Sequence, residues 1–72
     1  MTDPNALPQD DPRRPTMKMR ARLTELAEHL REDVRKIDDP RAKALFETSA
    51  EVLLGLEKAF ADFEEGAEEA WR

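Results

Sequence analysis

The sequence contains no cysteine and no tyrosine, a single histidine, two glycines and no long apolar run. Without cysteine there is no disulfide framework, no thiolate zinc site and no cysteine nucleophile, and nothing points to an oxidising compartment. No stretch of about eighteen apolar residues is available to span a bilayer. The first residues carry prolines and aspartates where a secretory signal needs an apolar core. A soluble, cytoplasmic chain is expected, with no membrane partner. One histidine cannot by itself supply a Ser/His/Asp grouping, no glycine-rich loop follows a strand, and no tyrosine can serve as an acid. No enzyme activity and no cofactor are therefore expected.

What is present is charge. The 72 residues include 12 basic and 17 acidic side chains for a net charge of -5, and 40% of the chain is charged against 39% hydrophobic. A chain this short lies near the lower size limit for a self-sufficient core, so help from a second chain is expected. A pI near 4.8 argues against nucleic acid as a default partner, because phosphate binding is driven by clustered cations.

Composition divides the chain near Thr16. Four of the five prolines, Pro4, Pro8, Pro12 and Pro15, fall in the first fifteen residues beside Asp3, Asp10 and Asp11. Proline lacks an N–H and pushes the preceding residue toward extended geometry, so residues 1–15 are expected to form a disordered arm, with Leu7 as its one sizeable internal anchor. Residues 16–72 are expected to fold. Met19, Leu23, Leu26, Leu30, Val34 and Ile37 recur at spacings of three and four, which predicts a first helix over about 17–37 with Thr16 as its N-cap. Asp38, Asp39 and Pro40 then stop and restart the chain. Proline suits the first position of a new helix, and Asp39 can cap it and complement its dipole. So short a connection implies an antiparallel αα-hairpin, an all-α fold.

The second helix, expected over about 40–71, carries the strongest pattern. Phe46, Leu53, Phe60 and Ala67 occupy heptad positions a, and Ala42, Ser49, Leu56, Phe63 and Ala70 occupy positions d. Leu45, Val52, Ala59 and Gly66 line the flanking g track, and a face this wide suits a bundle better than a two-stranded zipper. Gly55 and Gly66 would permit close approach or mark a soft joint.

At 1.5 Å per residue the second helix would reach about 45 to 50 Å and the first about 30 Å. Pairing Leu23 with Leu54 and Met17 with Phe60 leaves Phe63, Ala67, Ala70 and Trp71 beyond the first helix. A homodimeric four-helix bundle is expected to cover them. The expected interface for a second copy, or for an unidentified protein partner, is Phe46, Leu53, Leu56, Phe60, Phe63 and Trp71. In function this describes a small non-enzymatic interaction module, acting as scaffold, adaptor or accessory subunit.

Two alternatives follow from charge. Arg13, Arg14, Lys18, Arg20 and Arg22 could contact nucleic-acid phosphates, but no aromatic residue is interleaved to stack on bases. Neutralisation of the acidic second helix, which with its cap holds nine acidic and four basic residues, is the preferred role for them. His29 stands near Glu25, Glu28, Glu32 and Asp33, which superficially resembles the carboxylate-rich metal sites of ferritin-like bundles. The Glu-x-x-His pair of that class is absent, since Leu26 stands three residues before His29. A surface histidine paired with Glu25 is expected, and no metal ligand is assigned. Asp33 and Ser49 fall close to apolar tracks and are read as polar residues tolerated by a slight rotation and by bonding back to the helix.

Overall fold

The computed structural model describes residues 6–70, with side chains placed through residue 66. Those residues form two helices packed against each other, α1 over Arg13–Val34 and α2 over Pro40–Ala70, with no strand among them. The all-α hairpin expected from the periodicity is present.

Both helices start on the same device. Asp39 Oδ1 accepts from the backbone N–H of Arg41 at 2.9 Å, while the Asp39 carbonyl receives Lys43 N–H at 2.9 Å, so the expected cap operates. Asp11 does the same twenty-eight residues earlier, where its Oδ1 accepts from Arg13 N–H at 2.9 Å. Pro12 already has helical angles, φ -62° and ψ -18°, and thus fills the first helical position that proline favours. The tetrapeptide Asp-Asp-Pro-Arg stands at both places, 10–13 and 38–41.

The start of α1 therefore lies four residues before the expected Met17, and Arg13, Arg14 and Pro15 are helical instead of belonging to an extended arm. Pro15 is tolerated because the first turn of a helix has no intrahelical use for its N–H groups. Thr16 is correspondingly not the cap. Its hydroxyl donates back to the Arg13 carbonyl at 3.0 Å, as threonines inside helices do. Within the proline-rich segment, Asp11 N–H closes a turn onto the Pro8 carbonyl at 3.0 Å, and Leu7 is half-buried. The other end of α1 also differs, with α-helix ending at Val34. Beyond it the chain tightens through i to i+3 bonds from Arg35, Lys36 and Ile37, a common way for a last turn to satisfy its carbonyls.

Antiparallel register is fixed by Arg20, which reaches Glu57 across the pair. That pair falls midway between the expected partners Met17 with Phe60 and Leu23 with Leu54. The helices approach most closely through small side chains, since Ala27 on α1 and Ala50 on α2 are 1% and 0% exposed. No large side chain among the described residues is fully buried. Neither Gly55 nor Gly66 meets any heavy atom within 4 Å of where a Cβ would stand, so this hairpin uses neither for close approach.

Candidate interaction face

The early start of α1 changes where apolar surface is left uncovered. In the observed register Arg13 stands level with Glu64, so α1 runs alongside nearly all of the apolar seam, Phe63 included. Phe63 is nevertheless 50% exposed, and it is joined by Leu45 at 64%, Val52 at 56% and Leu56 at 46%. The cause is lateral. The wide face of α2 splits into two tracks: Phe46, Ala50, Leu53, Glu57, Phe60 and Glu64 turn toward α1 and are half-buried or buried, while Leu45, Val52, Leu56, Ala59 and Phe63 turn away and are exposed. With the half-buried Ser49 at their margin, Leu45, Val52, Leu56, Ala59 and Phe63 thus keep the four-three spacing along the outside of the hairpin.

On α1 the exposed large apolar residues are Met19 and Leu26, one heptad apart. A helix turns about 100° per residue, so with Ala27 facing α2, Met19 and Leu26 stand about 80° to 100° round α1. With Ala50 facing α1, Leu56 stands about 120° and Phe63 about 140° round α2 in the same rotational sense. Because the two chains run in opposite directions, that shared sense leads to one side of the pair. The side is a single apolar face drawn from both helices. It includes an open depression of about 420 Å³ lined by Thr16, Leu56, Ala59, Phe60 and Phe63.

Of the expected interface residues, Leu56 and Phe63 lie on this face, and Phe60 lines the depression while half-buried. Phe46 and Leu53 are half-buried on the track toward α1. Trp71, and the side chains of Ala67 and Ala70, lie outside the described residues. Met19, Leu26, Leu45 and Val52 were not among the expected interface residues. The signal for Leu45 and Val52 was the g track itself; that for Met19 and Leu26 was their spacing of seven.

The ion pairs that join the two helices centre on Arg20. Arg20 donates from Nε and Nη2 to Glu57 Oε1 at 3.1 and 3.0 Å, and from Nη1 to Glu64 Oε1 at 2.9 Å. Burial alone would lower the Arg20 pKa. Its bonds to Glu64 and then Glu57 outweigh that and hold it above its ordinary value, so the guanidinium stays charged. Glu64 is buried, and its Oε2 has no hydrogen-bond partner. Arg13 grips Asp11, with Nε 3.1 Å from each carboxylate oxygen and Nη2 2.7 Å from Oδ2. Those side-chain hydrogen bonds hold the Asp11 carboxyl below its ordinary pKa. Arg13 and Arg20 of the 13–22 segment are therefore engaged with carboxylates of this chain.

His29 is exposed, with Nε2 3.7 Å from Asp33 Oδ2, one turn later, instead of pairing with Glu25 one turn earlier. Both carboxylates stand at the four-residue spacing that makes helix neighbours, so spacing alone does not choose between them. Among the described residues no three His, Asp or Glu side chains gather where they could hold a metal ion, and no helix is long and apolar enough to cross a membrane. No family model, curated protein or solved structure matches this chain.

Proposed function

We propose that this protein is a small non-enzymatic helical interaction module, a scaffold, adaptor or accessory subunit, that works as a self-associated bundle of hairpins. One observation carries the reading: six large apolar side chains, Met19, Leu26, Leu45, Val52, Leu56 and Phe63, are each 45% to 64% exposed, and the helix geometry gathers them on one side of the hairpin. Scattered surface leucines need no explanation, but a continuous apolar stripe at heptad spacing does. Among the described apolar residues of the lone hairpin two alanines are fully buried, too little core for a chain of this size to stand on comfortably. Pairing two hairpins face to face places leucine and phenylalanine in the centre, as four-helix bundles do.

A non-enzymatic role is supported by what the grouped ionisable side chains already do. Asp11 with Arg13 starts α1, and Arg20 with Glu57 and Glu64 joins the helices. Mass measurement by light scattering at tens of micromolar tests the proposal. It expects a particle of twice the 8.3 kDa chain mass and a shift toward monomer for Leu56→Glu. A helical, cooperatively melting monomer at that concentration refutes it.

A further inference from the structure

We infer that a second copy of this chain docks on the Leu45–Phe63 stripe with its own α2 antiparallel to the first, an inference that rests on the self-association proposed above. Area comes first. Half the surface of a large apolar side chain is about 90 Å², so the stripe's Leu45, Val52, Leu56 and Phe63 offer about 360 Å² per protomer; Met19 and Leu26 on the same side of α1 bring this to on the order of 550 Å², or about 1,100 Å² for a pair. That clears the roughly 1,000 Å² expected of a specific interface before the half-buried margins at Leu23, Leu30 and Phe60 are added. An isologous pairing uses the same patch twice, so one stripe suffices for both subunits.

Charge decides the direction. The start of α2 carries Arg41 and Lys43 with no acidic residue in the first turn, while its far end carries Glu65, Glu68 and Glu69 beyond the internally paired Asp62 and Glu64. Parallel helices would bring two acidic ends together. Antiparallel helices bring each acidic end to the partner's basic start and oppose the helix dipoles favourably. Packing agrees with charge. In an antiparallel seam with Val52 against the partner's Leu56, the same register sets Leu45 against the partner's Phe63 and Ser49 against the partner's Ala59. The small pairs then fall between large ones, and no stripe position faces a charge.

The register gives a direct readout, helped by the absence of native cysteine. Thr48 and Asp62 are both exposed and flank the stripe on one edge. In the antiparallel seam Thr48 lies within about 3 Å of axial offset from the partner's Asp62, whereas two copies of Thr48 are about 18 Å apart along the axis and two copies of Asp62 about 24 Å. Thr48→Cys and Asp62→Cys proteins are oxidised separately and as an equimolar mixture, after far-UV circular dichroism shows unchanged helicity. The inference expects the mixture to form mixed disulfide dimers severalfold faster than either protein alone. Faster cross-linking of the single proteins means parallel helices, and a dimer that cross-links in no combination means another interface; either overturns the inference while the self-association reading stands. An unmodified chain that is monomeric by light scattering overturns both, and leaves the face to a different protein or to the proline-rich segment.

Discussion

Replacing Arg20 by Met should destabilise the hairpin by about 1 to 3 kcal/mol. Breaking a fully buried ion pair by removing one partner costs roughly 3 to 5 kcal/mol, mostly because the other charge is left desolvated and unpaired, whereas an exposed pair is worth about 0.2 to 1. The Arg20 cluster lies between these limits. The Arg20 side chain is 32% exposed and Glu57 25%, so water can take over at Glu57 when the guanidinium is removed. Glu64 is only 10% exposed and already has one oxygen without a partner, so its Oε1 would lose the bond at 2.9 Å with little water to replace it. The expected loss therefore comes mainly from Glu64. In urea unfolding followed by circular dichroism at one fixed protomer concentration, it should lower the midpoint by about 1 M or more. A double variant, Arg20→Met with Glu64→Leu, removes the stranded charge and fills the site with apolar atoms. It should return to within about 0.5 kcal/mol of the parent. The reasoning is refuted if the single variant costs less than about 0.5 kcal/mol, or if the double variant is no more stable than the single.

Two smaller perturbations test the helix ends and the helix interior. Asp39→Ala should cost about 1 kcal/mol in the same urea assay through loss of the bond to Arg41 N–H, and Asp39→Asn should keep most of it. At Asp11 the sign with pH is set by its lowered pKa: the stabilisation is present above the ordinary aspartate value of about 3.9 and fades as pH falls through the lower folded value. Asp11→Ala should accordingly be less stable than the parent near neutrality and converge with it in strong acid; a gap that widens on acidification would contradict the assignment. Gly55→Ala should raise stability by up to about 1 kcal/mol, because the position is mid-helix and a Cβ there meets open space. A lower midpoint for that variant would mean that something packs closely against Gly55 in solution.

The helical periodicity and the Asp39-Pro40 restart made the hairpin and its register legible in the sequence. The start of α1 was not, and the reason is instructive. Prolines at 8, 12 and 15 suggest an extended arm when counted by composition, because proline opposes helix almost everywhere. The exception is the first turn, and both Pro12 and Pro15 fall inside it. The deciding residue is Asp11, whose carboxylate accepts from Arg13 N–H and is held by the Arg13 guanidinium. The sequence repeats Asp-Asp-Pro-Arg at 10–13 and 38–41, so reading the second copy as a helix start was sufficient ground for reading the first the same way. Local capping chemistry outweighed composition here.

The candidate site illustrates a different gap. A heptad pattern states how wide an apolar face is, but not which part of it the chain itself will cover. On α2 the positions a, d and g are apolar apart from Ser49, and one neighbouring helix can cover only about half of such a face. Which half is decided by α1, through the small contacts at Ala27 and Ala50 and through Arg20, whose reach to Glu57 and Glu64 draws the e positions inward. Once those acidic residues are committed to the inside, Leu45, Val52, Leu56 and Phe63 must face outward. An ion pair inside the hairpin thus determines the apolar surface outside it. If Arg20 were replaced by an apolar residue without relieving Glu64, α2 would gain by rotating Leu56 and Phe63 inward, and the outer stripe would be lost with it. The Arg20→Met variant should therefore associate more weakly as well as unfold more easily.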